Sequence, residues 1–326
     1  MEIIGLQGCV ALIRSAIVSD WLAQTEWSNW QRTPMTGDAS ARRYERLTHS
    51  NGESVILMDA PPEFCGSQSR FVQIAGHLRS LDLATPQVFD WSDVLGLLIL
   101  EDLGSNDFAT HLRTAPNDEL TLYLAAVDTL KTLQSAPPPA GLSEMTPDIG
   151  AHMIDVAFEW AAMDLSTDLA QGIQTRLHDL LQVIDDAPKT LSLRDFHAEN
   201  LIWRPERAGT GRAGLLDFQD AFITHPAYDL ASLVRDARRD VNPAIVQPLI
   251  SQLSNRGNVL FKLAFHILAV QRNLRILGIF ERLAQRDGKT GYRALIPRVW
   301  RHILTDLTEP ALHDLAPLVQ RAFAPK

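Results

Sequence analysis

The chain has 326 residues, room for two domains of ordinary size or one large one. With 46% hydrophobic and 21% charged residues it sits near globular averages, which excludes a disordered, collagen-like or coiled-coil protein. Lys plus Arg number 30 against 39 for Asp plus Glu, a formal net charge of -9. That charge argues against a nucleic-acid partner, although a local basic pocket can still hold one small anion.

Residues 1–29 read as an apolar helical extension. Glu2 stands where a secretory signal wants Lys or Arg, and Arg14 interrupts the run. No later apolar run reaches the ~20 residues of a membrane span, so a cytoplasmic protein with no membrane partner is expected. Residues 30–35 lead into the loop Thr36-Gly37-Asp38-Ala39-Ser40, and a strand follows at 42–48. Asn51-Gly52 then separates it from a second strand at 53–58, which predicts a tight hairpin with φ > 0 at both turn positions. Over 67–80, Phe71, Ile74 and Leu78 recur at steps of three and four, a helix. Strands near 87–91 and 96–101 run into Glu101-Asp102-Leu103-Gly104, a hinge. Helices are expected over 118–135, 148–163, 167–185 and from 227 onward, with a strand-loop segment at 190–218. The fold class is α+β: a β-rich N-lobe at 30–103 and a mainly helical C-lobe at 104–326 with an embedded hairpin.

Cys9 and Cys65 make no disulfide framework, and the ten histidines show no HExxH-type pair. The segment Leu193-Arg194-Asp195-Phe196-His197-Ala198-Glu199-Asn200 followed by Asp217-Phe218-Gln219 carries more chemistry. Asp195 and Asn200 are five apart across a polar loop, and Asp217 directly follows a short apolar run. Phosphoryl transfer to a hydroxyl needs this spacing: Asp195 as base, with Asn200 and Asp217 holding Mg²⁺ against the phosphates of ATP. It is the protein-kinase pattern H-R-D-x-x-x-x-N then D-F-G, here L-R-D-F-H-A-E-N and D-F-Q. Any one of the three alone reads as a loop residue in an Asx turn; the three together read as function. His197 either contacts substrate or bonds local backbone. A hydrolase metal site from Asp195, His197, Glu199 and Asp217 has suitable ligand types but no supporting histidines.

Gly37, Asp38 and Ser40 form a loop whose backbone N–H groups suit phosphate, and Arg42 and Arg43 follow it. Gly209-Thr210-Gly211-Arg212-Ala213-Gly214 fits G-x-G-x-x-G but opens a strand, so it reads as a hairpin turn. Gly288-Lys289-Thr290 lacks the glycine a Walker motif needs at Leu283. Asp229, opening the helix from 227, is a helix cap or a pin for the catalytic loop. Arg272, Arg275, Arg282, Arg286, Lys289, Arg293, Arg298 and Arg301 fall within 30 residues, a solvated salt-bridged face by default. Within it, Gln271, Arg272 and Asn273 are the candidates for contact with a sugar or carboxylate.

These residues resemble the aminoglycoside phosphotransferase and choline kinase-like family, which has the protein-kinase fold and phosphorylates small molecules. The stretches GDASARRYERL, VILMDAPPE, LEDLG, LRDFHAEN, LLDFQDA, AYDLASLVRDARRDV and QRNLRILGIFERLAQRDGK look most like bacterial anomeric kinases acting on N-acetylmuramate and N-acetylglucosamine. The resemblance implies Asp195 as catalytic base, Asn200 and Asp217 as Mg²⁺ ligands, and Glu101 to Leu103 as the adenine-contacting hinge. It implies an amino-sugar hydroxyl as acceptor; an aminoglycoside or other amino alcohol is the alternative. Met58 stands where the family's phosphate-holding lysine falls, leaving Arg43 or Arg42 to substitute, or a nucleotide-binding pseudokinase. Leu193 stands where a histidine is usual. Nothing in the pattern fixes an oligomeric state.

Overall fold

The computed structural model of the chain describes residues 13–35, 41–163, 165–254 and 258–324. The loop candidates Gly37, Asp38 and Ser40 lie outside the described residues. Two compact units emerge. One comprises the chain up to Ser80 together with Ala84–Ser105, the other Leu81–Leu83 together with the chain from Asn106.

The first unit is an antiparallel sheet of β1 (Gln31–Pro34), β2 (Arg43–Thr48), β3 (Ser54–Asp59), β4 (Val88–Ser92) and β5 (Leu97–Glu101), in the order β1-β2-β3-β5-β4. Helices α1 (13–22), α2 (Pro62–Cys65) and α3 (Ser69–Ser80) accompany it. Strand alternation places Leu47, Val55, Leu57, Leu97 and Ile99 on one face, where Val18 and Leu22 of α1 and Trp27 bury them. Arg14, which breaks the apolar run in the sequence, anchors that helix: its Nε donates to Asp59 at 2.8 Å.

The β2–β3 hairpin forms where the Asn-Gly pair predicts it, with a different turn. The His49 N–H donates to the Glu53 carbonyl (2.8 Å), leaving Ser50-Asn51-Gly52 as the connection. Gly52 alone has φ > 0, at +92°. The arrangement is a three-residue loop with glycine at its one left-handed position. Asn51 serves as an acceptor instead, its Oδ1 taking the Glu53 N–H at 2.9 Å.

The second unit contains α4 (Phe108–Thr114), α5 (Glu119–Gln134), α6 (Pro147–His152), α7 (Asp155–Trp160), α8 (Thr167–Val183), α9 (Ala227–Val234), α10 (Pro243–Leu253), α11 (Val259–Gln285), α12 (Ile296–Asp306) and α13 (Ala316–Phe323). Two small antiparallel pairs sit among them: β6 (Thr190–Ser192) with β9 (Phe222–Thr224), and β7 (Leu201–Trp203) with β8 (Ala213–Leu215). The glycine-rich run between β7 and β8 is a 3-10 turn at Gly209–Arg212, as expected. Helix α11 is long and apolar enough to cross a bilayer, against the expectation that no such run exists, but most of it is buried inside this unit.

One helix was expected over 148–163; the chain instead turns at Met153-Ile154 and makes two. The turn lets α7 lie flush on α11, whose Gly278 leaves no room for a side chain. A Cβ there would sit 2.4 Å from the backbone of Val156 and Ala157. Gly278→Ala is therefore expected to cost about 2–3 kcal/mol by forcing the helices apart. A thermal melt reads this as a midpoint several degrees lower; an unchanged midpoint would contradict the close approach.

Candidate active site

The segment after β6 is held from below by one buried carboxylate. Asp229, three residues into α9, accepts the Ser192 hydroxyl (2.6 Å) and the N–H groups of Leu193 (2.8 Å) and Arg194 (3.1 Å). The cap position of α9 belongs to Pro226, so Asp229 acts as the pin of the loop and not as a helix cap. Burial pushes its carboxyl up to about 6, although the three donors favour the charged form and pull the other way. Arg194 takes a left-handed conformation, φ +71°. A non-glycine residue so placed is strained by about 1–3 kcal/mol, and its pinned N–H helps hold it there.

That conformation leads into Asp195. The Asp195 carbonyl accepts the His197 N–H (3.2 Å) and the Asn200 side-chain amide (2.9 Å), closing the loop on itself. Its carboxylate has no hydrogen-bond partner among the described residues and is only partly buried. It is a fixed acceptor with both oxygens uncommitted, the state a proton-accepting group needs.

Asn200 and Asp217 come together because β7 and β8 pair with Leu201 opposite Leu215. The Leu216 N–H donates to the Asn200 carbonyl at 3.0 Å, which brings the two flanking positions side by side at the end of the hairpin. Asn200 spends its Nδ2 on Asp195 and His197, so its Oδ1 is the atom left to face a ligand. Asp217 has φ +57° and accepts Gln219 Nε2 at 2.7 Å. An amide oxygen and a carboxylate suit Mg²⁺, which keeps waters and phosphate oxygens for its remaining positions.

His197 is buried, and its Nε2 faces Asn200 (3.2 Å) and Arg238 (3.4 Å). Burial lowers its pKa to about 4, so it is neutral near pH 7. Asp236 completes this layer by accepting the N–H groups of Ala198 (3.3 Å) and Arg238 (2.7 Å). Glu199 points away to Arg238 at 2.9 Å. Among the described residues no three His, Cys, Asp or Glu side chains gather as a metal cage, so the four-ligand hydrolase arrangement does not form.

Six residues of the basic run fall into two groups. Arg286 pairs with Asp287, Arg293 with Glu281, and Arg298 and Arg301 with Asp240: the solvated, salt-bridged face. Arg272 and Arg275, on α11, have no carboxylate within ion-pair distance among the described residues. Arg272 is 4% exposed, with a buried Nη1 that has no partner. Burial and the neighbouring charges of Arg194 and Arg272 lower the pKa of Arg275, while Tyr228 and Asp195 oppose them. Gln271 is committed elsewhere, donating to the Gly150 carbonyl at 3.0 Å and tying α11 to α6. Asn273 is fully buried, and both of its amide atoms lack partners. In the sequence Tyr228 reads as core and Arg275 as one of many surface arginines, so neither stands out there.

In the first unit, the Glu101 carboxylate accepts the Gln87 N–H (3.2 Å) and lies 3.4 Å from Arg79. Leu103 is buried, and its backbone makes no hydrogen bond among the described residues, leaving donor and acceptor free. Between them, burial alone would raise the Asp102 carboxyl, but Arg46, Ser54 and the Gly104 N–H outweigh it and hold it below the usual range. Met58 is fully buried and stands opposite Tyr44 and Leu98. Arg43 stands opposite Asp59, hence on the other face of the sheet from Met58. There it lines a cavity of about 160 Å³ with Ser15, Val18, Arg32, Glu45, Leu57 and Asp59.

A family model described as the phosphotransferase enzyme family matches residues 31–262. An N-acetylmuramate/N-acetylglucosamine kinase of Caulobacter vibrioides is 35% identical, covering 93% of this chain and 94% of its own. A protein of the same name from Neisseria meningitidis serogroup B is 32% identical over 89% of this chain and 90% of its own. Among solved structures, a choline/ethanolamine kinase family protein from Mesorhizobium loti has a TM-score of 0.65 at 14% identity, covering 94% of this chain and 99% of that one. At that identity it bears on the fold alone, which is the protein-kinase-like one.

Proposed function

This chain belongs to the phosphotransferase enzyme family, and from that premise we propose that it moves the γ-phosphoryl group of ATP to the anomeric hydroxyl of an amino sugar, N-acetylmuramate or N-acetylglucosamine. The observation that carries the reading is the uncommitted Asp195 carboxylate, set on a pinned backbone beside an Asn200–Asp217 oxygen pair. The names of relatives matched along nearly their whole length supply the substrate class. A nucleotide-dependent enzyme of this kind works in the cytoplasm.

Asp195 would orient the acceptor hydroxyl and take its proton as the O–P bond forms. Asn200 Oδ1 and the Asp217 carboxylate would hold Mg²⁺, which when bound supplies positive charge to the nucleotide phosphates. Glu101 to Leu103 would present the free Leu103 backbone groups to the adenine. For the phosphates the reading keeps Gly37, Asp38 and Ser40. It moves the basic contact from Arg43 to Arg42, because Arg43 stands on the face opposite Met58.

The aminoglycoside alternative brings a polycation near Arg275, on which the charges of Arg194 and Arg272 already act, and this disfavours it. The pseudokinase alternative rests on Met58 and leaves Asp195, Asn200 and Asp217 without a purpose. ADP release with Mg-ATP, measured against a panel of sugars and amines, separates the three. Turnover is expected with the two N-acetylated sugars. If only aminoglycosides stimulate it, or nothing does while calorimetry records ATP binding, one of the alternatives takes its place.

A further inference from the structure

Resting on the amino-sugar reading, we propose that Arg272, Arg275 and the Tyr228 hydroxyl form an anion subsite beside Asp195 that takes the carboxylate of an acid-bearing acceptor, making these residues the determinants of preference between acidic and neutral sugars.

Three elements build the subsite, all in the second unit. Arg272 and Arg275 are three apart on α11 and so share a face. Tyr228 lies on α9, its ring edge-on to Phe222 at 5.0 Å, and the Arg194 guanidinium sits 5.9 Å from that Phe222 ring. Asp229, the next residue on α9, holds the N–H groups of Leu193 and Arg194, so α9 is tied to the loop that leads into Asp195. The Tyr228 hydroxyl is fully buried without a hydrogen-bond partner, and so is Arg272 Nη1.

Two orphaned buried donors close to three guanidinium groups are costly in a folded protein. Asp195 is a carboxylate close enough to act on Arg275, and it makes an ion pair with none of the three among the described residues. An arginine–carboxylate pair elsewhere in the unit shows the contrast: Arg235 is matched by Asp306 at 2.7 and 2.8 Å. An anion reaching the cluster satisfies both orphans and neutralises the excess charge. A carboxylate has the two oxygens that a guanidinium fork and a phenol can share. N-acetylmuramate carries such a group, on its lactyl ether; N-acetylglucosamine does not.

The same cluster can also be satisfied by the phosphoryl group in transfer, and the two sources give different kinetics. The experiment compares kcat/KM for N-acetylmuramate and N-acetylglucosamine in the wild type and in Arg275→Gln, Arg272→Gln and Arg275→Lys. The ratio of acid to neutral sugar is expected to fall at least about 20-fold in each Gln variant. The Lys variant should recover part of it, because the charge returns without the fork. The thermal midpoint of the Gln variants without substrate should hold or rise, since each deletes an uncompensated buried charge. Equal losses on both sugars would assign the arginines to the phosphoryl group and overturn the proposal. So would an unchanged ratio. A wild type that phosphorylates neither sugar overturns the amino-sugar reading, and the proposal with it.

Discussion

Asp195→Asn lowers kcat by about 10³-fold while leaving ATP affinity within a few-fold of wild type; this follows from what the loop holds and what it leaves free. The substitution keeps the shape of the side chain and removes its ability to accept a proton from the attacking hydroxyl. The backbone bonds of residue 195, its N–H to the Leu193 carbonyl and its carbonyl taking His197 and Asn200, survive the change. The neighbouring pins to Asp229 are likewise untouched. Single-turnover phosphorylation and calorimetric titration with Mg-ATP together provide the check. A variant with more than about a tenth of wild-type kcat would mean that another group takes the proton.

Asp229→Ala is expected to do nearly as much damage by a different route. Its carboxylate is 2% exposed and is shared by three donors. Removal leaves the Ser192 hydroxyl and the Leu193 N–H buried without acceptors, at about 1–3 kcal/mol each, and leaves the Arg194 N–H with the Ser192 Oγ alone, at 3.1 Å. A loss of about 4 kcal/mol in urea unfolding is the central expectation, with activity down at least about 100-fold even under conditions where the variant is folded. Asp229→Asn is the milder probe: it keeps the volume but offers an N–H₂ where oxygens are needed.

The pH dependence separates activity from stability at this residue. With the folded carboxyl raised to about 6 from 3.8, the native state takes up a proton over that interval before the unfolded chain does. This group's contribution to stability is therefore fullest below about pH 4 and is lost as pH rises through about 6. Activity runs the opposite way, since protonation turns one acceptor oxygen into a donor facing other donors. The acid limb of kcat should bend near pH 6 and flatten in Asp229→Asn. A limb that persists unchanged in that variant would assign the titration to another group.

The elements that a sequence reader finds are those whose cause is local. Asp195, Asn200 and Asp217 lie within one short stretch with fixed spacing, and the α3 stripe and the β2–β3 hairpin each obey one periodicity. The turn inside that hairpin came out differently, because Asn51 gained more as an acceptor for Glu53 than as a left-handed residue. The close seat of α7, after the α6–α7 break, depends on Gly278, more than a hundred positions downstream, where no window reaches. The arginine run shows the same limit. Arg298 and Arg272 look alike in sequence, and only folding gives the first an aspartate and denies one to the second. Tyr228 reads as an aromatic on an apolar helix, since what marks it is the partner its hydroxyl lacks.

The seam at Gly278 reaches beyond packing. Helix α11 is fastened to its neighbours at Gln271 and again at Gly278, and both Arg272 and Arg275 lie between the two fastenings. A helix held that way can neither slide nor roll to suit a differently shaped acceptor. Changing the acceptor of this enzyme, in evolution or by design, therefore means exchanging side chains on a fixed rail rather than moving the rail. Binding should accordingly show little of the ordering cost that a mobile recognition element incurs.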